Sequence, residues 1–444
     1  MAETIGDEGI TAASFEAPVF GRRNLTVAAA IFAVALFALF ALQHQFGIVS
    51  TSVSQYPHFV YQAESFLHGR LDVDLPFKVY DIEIINGKSY IYYPPFPALL
   101  LLPFVAIFGL RTSDVLFTAV VSASILPTLY LLFEQVRALG LTRRSWVENA
   151  VLSVLLYFGS IILWLSLGGQ LWFETHIVAM AATLLSLLLA FRRHFAWSAV
   201  LLGGAFFSRF TMALGFPFLF YLAWQDAGAD PLLGRFVASL RSRAPDWRAV
   251  PWRRLLPPAA VTAGVVLLFF LRNALTFGSP LDDGYHTLLR ERYPEILTSG
   301  VFNLRYVPSN IAAFFFSMPH VEWIGGRFDR HPALDMLNNQ IAISVFATTP
   351  LFLLLFWRNR RRSGLRAALW VTIGLIVVSL LPFYTAGAYQ FGVRYLTDAY
   401  PYAFLLLGLT ELRLDWRAVA LGLLGIAVNY LGAAQFWTGH IFHF

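Results

Sequence analysis

Runs of apolar residues, each bounded by polar or basic joints, recur from Leu25 to the C-terminal end of the chain. A helix needs about 20 apolar residues to cross the hydrocarbon core of a bilayer. On that measure spans are expected at 25–44, 114–136, 147–166, 172–191, 196–208, 210–224, 256–277, 339–357, 366–386, 398–411 and 416–437. The fifth and sixth are short, and the flanking arginines define them: Arg192 and Arg193 precede the pair and six arginines from Arg235 to Arg254 follow it. Basic loops stay cytoplasmic, so the chain goes out and back between them and Arg209 sits at an outer turn.

The same parity decides the segment Pro94 to Gly109. Counted as a span it would carry Arg137, Arg143 and Arg144 outside, and it is short and holds Pro94, Pro95, Pro97 and Pro103; proline in a helix interior removes a hydrogen bond and clashes with the preceding turn. It reads as a juxtamembrane or re-entrant helix on the outer side, as does 309–318. The expected fold is an all-α polytopic membrane protein of about eleven transmembrane helices. Residues 1–24 form a cytoplasmic tail and 25–444 a single transmembrane domain, with a first outer loop at 45–113 containing juxtamembrane helices and a second large one at 272–338. The N-terminus is then cytoplasmic and the C-terminus extracytoplasmic. The N-terminal stretch lacks the small-residue cleavage site of a signal peptide, so the first apolar run reads as retained.

Composition agrees with the pattern. The 444 residues are 58% hydrophobic and 13% charged, with mean hydropathy +0.63, too little polar surface to enclose one soluble core. The absence of cysteine excludes disulfides, thiolate metal sites and thiol nucleophiles. A pI near 9.5 comes from 30 arginines against two lysines, which in a membrane protein marks cytoplasmic loops rather than nucleic-acid binding.

Chemistry is concentrated on the outer side. In the first outer loop, Tyr56 to Leu71 reads as an interfacial amphipathic helix with Phe59, Ala63, Phe66 and Leu67 on one stripe. Gly69 caps it, and Asp72, Asp74, Asp81 and Glu83 follow before the hairpin-type turn Asn86-Gly87-Lys88. A carboxylate there can take a proton from a sugar or lipid hydroxyl; solvated acids that only enforce topology are the alternative. Glu174 and His176 open the fourth span, where ionisable groups are functional candidates and an interfacial anchor is the plainer reading. Arg209 and Arg394 lie between apolar runs, suited to a phosphate, unless each is paired internally, as Arg394 would be with Asp398 at i,i+4 spacing. No Walker A lysine motif, GxSxG elbow or HExxH helix occurs, so nucleotide hydrolysis, serine hydrolysis and zinc proteolysis lack support.

Several segments, taken in order, resemble the GT-C superfamily of membrane glycosyltransferases, in particular an uncharacterised bacterial branch similar to mannosyl- and aminoarabinosyl-transferases. They are YPHFVYQAESFLHGRLDVD, KVYDIEIINGKSYIYYPPFPALLLLPFVAIFG, LWFETHIVA, AFFSRFTMALGFPF, RNALTFGSPLDDGY, NLRYVPSN and YQFGVRYLTDAYPY. The resemblance implies a GT-C-like bundle in a bacterial plasma membrane. It implies inverting transfer from a polyprenyl-phosphate-linked sugar donor to a lipid or glycan acceptor, with an acid of the first outer loop as base. Most members keep that acid near the start of the loop, where this chain has Gln55. The base is therefore expected elsewhere: Asp81 first, because it precedes the turn and the proline-rich element, then Glu64 and Glu83, with His58 as a neutral base. Lys88, His176, Arg209, Tyr285, Gln390 and Arg394 would bind the donor or its phosphate. No cofactor is required, since such a donor carries no nucleotide diphosphate, although the outer-loop acids leave room for a divalent cation. A lipid flippase or transporter, or a GT-C-shaped glycolipid-binding protein without catalysis, are the alternatives.

Overall fold

Among the described residues, five helices are long and apolar enough to cross a membrane: α1 (Arg22–Gln45), α4 (Asp114–Ala138), α7 (Leu171–Ala190), α10 (Trp252–Phe277) and α13 (Trp416–Thr438). They coincide with the first, second, fourth, seventh and eleventh expected spans. The computed structural model describes residues 19–76, 81–226, 250–284, 294–324, 331–337, 342–356, 363–387, 389–410, 414–439 and 442–443. Within them the remaining expected spans are shorter or broken: α5 (Trp146–Phe158) and α6 (Ile162–Leu165), α8 (Phe195–Phe206), α9 (Phe216–Asp226), α11 (Gly364–Leu380) and α12 (Tyr400–Gly408), while the described part of 339–357 holds only a one-turn helix at Val345–Thr348 and a 3₁₀ stretch at Pro350–Phe356. The span expected at 147–166 breaks where α13 crosses it. A Cβ on Gly425 of α13 would lie 2.6 Å from the Gly159 carbonyl oxygen, so the two backbones meet at glycine and no side chain fits between them.

Between α1 and α4 the chain forms α2 (His58–Leu67), strands β1 (Ile82–Ile85) and β2 (Lys88–Ile91), and α3 (Phe96–Phe108). Here the all-α expectation is corrected, because a second small antiparallel sheet joins β3 (His320–Ile324), β4 (His331–Asp335) and β5 (Phe442–His443). Helix α3 begins at the Pro94-Pro95 pair and carries Pro103 inside it. Its first amide, on Phe96, donates to the Phe207 carbonyl at 2.8 Å, which docks the proline element on the end of α8.

Helices α4 and α7 form the centre of the bundle, with 61% and 83% of their apolar windows buried, whereas α1 and α10 bury 17% and 11% and offer their outer faces to lipid. The core around α4 and α7 includes Leu126, Leu129, Phe133, Trp164, Ile177 and Leu184. Polar groups collect at the two ends of these helices. At the C-terminal end of α4, buried Glu134 accepts from Arg137 at 3.0 and 2.5 Å and from Asn149 at 2.8 Å. Next to it Arg144 donates to the carbonyls of Leu407, Gly408 and Thr410, filling orphan acceptors at the end of α12. Asp226 pairs with Arg193 and, at 3.4 Å, with Arg254. The other end, with the starts of α4 and α7 and the end of α10, carries the residues considered next.

Candidate functional site

Asp81 stands just before β1. The β1–β2 hairpin closes with Ile85 opposite Lys88, and Asn86 and Gly87 both take positive φ, 52° and 76°, the type I′ geometry that fits the twist of two paired strands. Asp81 also has a positive φ, 67°, uncommon for a residue with a Cβ. Its side chain explains why the conformation is held: Oδ1 accepts from the Tyr92 hydroxyl at 2.8 Å and Oδ2 from the Trp172 indole N–H at 2.6 Å. Hydrogen bonds to an ionised acceptor are the stronger kind, and each carboxylate oxygen keeps a second lone pair.

Trp172 reaches Asp81 because of how α7 starts. The Leu171 amide donates to the Tyr56 carbonyl at 3.3 Å, and the Tyr56 ring lies 4.9 Å from that of Trp172. One turn further along the same face is His176. Its Nδ1 is 2.8 Å from the Thr397 hydroxyl and 3.7 Å from Asp398. Thr397 spends its own hydroxyl proton on the Arg394 carbonyl at 2.6 Å, so it accepts from His176 and the imidazole proton is on Nδ1.

Arg209 lies in extended backbone between α8 and a 3₁₀ turn at Phe210–Gly215. Its Nε donates to Asp398 at 2.6 Å, and the Thr211 hydroxyl donates to the other Asp398 oxygen. The expected i,i+4 pair of Arg394 with Asp398 is thus replaced. Residues Arg394–Ala399 form a 3₁₀ turn, where three residues complete a turn, so positions four apart no longer share a face. The guanidinium groups of Arg209 and Arg394 each lie 5.4 Å from the centre of the Tyr395 ring, and His176 stacks on that ring at 6.3 Å.

Tyr93 packs on the ring of Tyr92 at 4.8 Å. Its hydroxyl lies in the field of Asp81, Tyr395, Arg394 and Arg209. The protein packed around it pushes the hydroxyl well above the ordinary tyrosine range, with the Asp81 charge adding to the effect and the two arginines opposing it. Tyr93 therefore stays a proton donor at neutral pH. Asp81, His176, Arg209 and Arg394, drawn from four distant segments, are gathered around Tyr93, Trp172 and Tyr395.

The other candidates fall elsewhere. Glu64 faces His68 at 3.6 Å on the exposed side of α2, and exposed Lys88 donates to Asp72 at 3.3 Å on the hairpin. Buried His58 has Nδ1 3.2 Å from the Tyr56 carbonyl. Glu83 is buried against the turn at Gly284, where a Cβ would come within 2.6 Å of its carboxylate. Gln390 is buried and donates to the Ala386 carbonyl at 2.8 Å. Tyr285 lies outside the described residues.

Sequence reasoning missed Tyr92, Tyr93 and Tyr395, which look like interfacial aromatics, and Asp398, weighed only as a partner of Arg394. It also missed Asp114. This buried acid accepts from the Ser54 amide and hydroxyl at 2.7 and 2.5 Å and ties the segment after α1 to α4, while neighbouring Gln55 is exposed. The Ser113-Asp114 pair opening an apolar helix was the available signal. Glu174 is buried facing Asp114's charge, two residues from Trp172 and so on another face of α7. Among the described residues, no group of three or more His, Asp or Glu stands together as a metal-ligand set.

No family model matches the chain, and no curated protein matches it. Among solved structures it is similar to the apo form of the Archaeoglobus fulgidus oligosaccharyltransferase, with a TM-score of 0.48 and 15% identity over 93% of this chain and 56% of that one. The chain spans about half the length of that protein.

Proposed function

We propose that the protein is a GT-C-type membrane glycosyltransferase. It moves a sugar from a polyprenyl-phosphate donor to a lipid or glycan acceptor at the extracytoplasmic face, with inversion at the anomeric carbon. One observation carries the reading: the Asp81 carboxylate is held at both oxygens by Tyr92 and Trp172, and one turn along α7 from Trp172, His176 reaches the 394–399 turn, where Arg209 is paired with Asp398. The segments that bring these groups together are those that resemble the superfamily.

In this scheme Asp81 is the general base. Tyr92 and Trp172 fix its direction without using all its lone pairs, so an acceptor hydroxyl can still hydrogen-bond to it and hand over its proton. The acceptor oxygen forms a bond to the anomeric carbon as the bond from that carbon to the phosphate oxygen breaks, and polyprenyl phosphate leaves with the electron pair. The growing charge on the phosphate is met by Arg394 and by the Tyr93 hydroxyl, preorganised donors of the kind that stabilise a transition state most. Arg209 already shares its charge with Asp398, so its part is to hold Tyr395 and the 394–399 turn in place. Asp81 will pass its proton to water after each turnover.

The test is transfer by the purified full chain in lipid nanodiscs, using decaprenyl- and undecaprenyl-phosphate sugars and a panel of lipid and glycan acceptors. Wild type transfers sugar, and Asp81→Asn lowers the rate by about 10²–10⁴. Absence of transfer by wild type would sink the enzyme reading, and equal rates would sink Asp81 as the base.

A further inference from the structure

Arg272 lies outside every group considered so far. It sits near the outer end of α10, five residues before Phe277, with its guanidinium 4.6 Å from the centre of the Phe277 ring. One nitrogen, Nη2, donates to the Tyr92 carbonyl at 2.9 Å and lies 3.3 and 3.4 Å from the carbonyls of Ile91 and Tyr93. The other, Nη1, donates to Asn273 at 3.1 Å. Three consecutive carbonyls converge on one cation where β2 ends and its ladder partners run out. Unpaired backbone acceptors in enclosed positions are costly, and a flat guanidinium stacked on an aromatic face can meet several at once, which a single ammonium cannot.

Those three residues are not incidental to the proposed site. Tyr92 holds Asp81 through its hydroxyl, and the next residue, Tyr93, feels the charges of Asp81 and of the two arginines. Tyr92 also packs on Phe277, the ring on which Arg272 lies. Glu83 and Asp283 contribute opposite charge around Arg272. The turn at Gly284 is closed over both Glu83 and Phe277.

We propose that Arg272 is a positioning residue for the transfer reaction: by clamping residues 91–93 to the end of α10 it sets the direction of the Tyr92 hydroxyl, and through it the Asp81 carboxylate. The role rests on the glycosyltransferase reading. It also makes the 278–284 turn, packed on the same clamp, the part of the second outer loop through which an acceptor bound there would be felt at Asp81.

The experiment compares wild type, Arg272→Lys, Tyr92→Phe and the double variant as full chains in nanodiscs. Each is measured for transfer from undecaprenyl-phosphate mannose or whichever lipid-phosphate sugar wild type accepts, and by hydrogen exchange of peptides covering 81–95. If the clamp acts through Tyr92, Arg272→Lys lowers kcat by about tenfold with KM for the donor within about twofold. Tyr92→Phe does the same, and the double variant is no slower than Arg272→Lys alone, because the two changes break one chain of contacts. A loss confined to KM, or losses that multiply in the double variant, would overturn the assignment. If wild type transfers nothing, the enzyme reading falls and the clamp is judged by exchange alone. Faster exchange over 81–95 in Arg272→Lys, with the α4 peptides unchanged, keeps the clamp, and unchanged exchange removes it.

Discussion

The two ends of the bundle use the same residue types for different ends. Around Glu134 and Arg144 the charged groups join helix ends: Glu134 accepts from Arg137 and Asn149 with Arg23 3.6 Å away, and Arg144 donates to Asn149 and to the carbonyls closing α12. Arg137 and Asn149 come from neighbouring segments and the carbonyls from the distant α12, and the outcome is a set of helix ends locked together. Around Asp81 the two donors come from separate stretches of chain, the carboxylate keeps lone pairs, and the donors are aromatic groups with one polar edge. Fully satisfied polar networks rigidify the elements they join, whereas a carboxylate that keeps lone pairs can accept a further hydrogen bond. That difference is the physical basis for placing chemistry at one end only.

The sharpest way to break the comparison is to remove one charge from each end. Asp81→Asn is expected to lose transfer by two orders of magnitude or more while leaving the unfolding midpoint of the protein in place. Arg144→Met should do the reverse. It strips charge-assisted hydrogen bonds from buried carbonyls, lowers stability by about 2 kcal/mol, and leaves the rate per folded molecule unchanged. Denaturant titration in micelles beside the transfer assay separates the two outcomes. A rate loss in Arg144→Met without loss of stability would put function at both ends.

Within the outer end, Trp172→Phe sharpens the picture. The ring still packs on Tyr56, but Asp81 loses its 2.6 Å donor. A drop of about tenfold in kcat is expected, in keeping with one charge-assisted hydrogen bond, with little effect on folding. An unchanged rate would mean that Tyr92 alone fixes the carboxylate.

Much of the helical frame was legible in the sequence because it rests on local signals: apolar length for the five long helices, Asn-Gly for the hairpin, prolines for the start of α3. The Asp81 neighbourhood was legible in part, through the turn and the proline element next to it. What could not be read was which arginine meets Asp398. An i,i+4 rule favours Arg394, but the 394–399 segment winds as 3₁₀ and turns Asp398 toward Arg209, 189 positions away in the chain. The span at 147–166 failed for a similar reason. Its break is set by the close approach of α13 at Gly159, a long-range fact with no trace in the hydropathy of the segment itself.

Lys88 gives the smallest expected effect and a clean contrast with Arg394. Charge and loop position made both candidates for a donor phosphate. The structure leaves Lys88 on an exposed hairpin turn, its side chain 60% accessible and its ammonium 3.3 Å from Asp72, while Arg394 is buried beside Tyr395. An ion pair of that exposure contributes at most about 1 kcal/mol, and a cation in water gives a phosphate little that solvent does not already provide. Lys88→Ala should therefore change KM for the lipid-phosphate donor by less than about threefold, whereas Arg394→Ala raises KM or lowers kcat far more. Titrating the donor against both variants checks this, and a large rise in KM for Lys88→Ala would mean that the hairpin folds over the donor when it binds, bringing an exposed charge into a site it does not touch in the free protein.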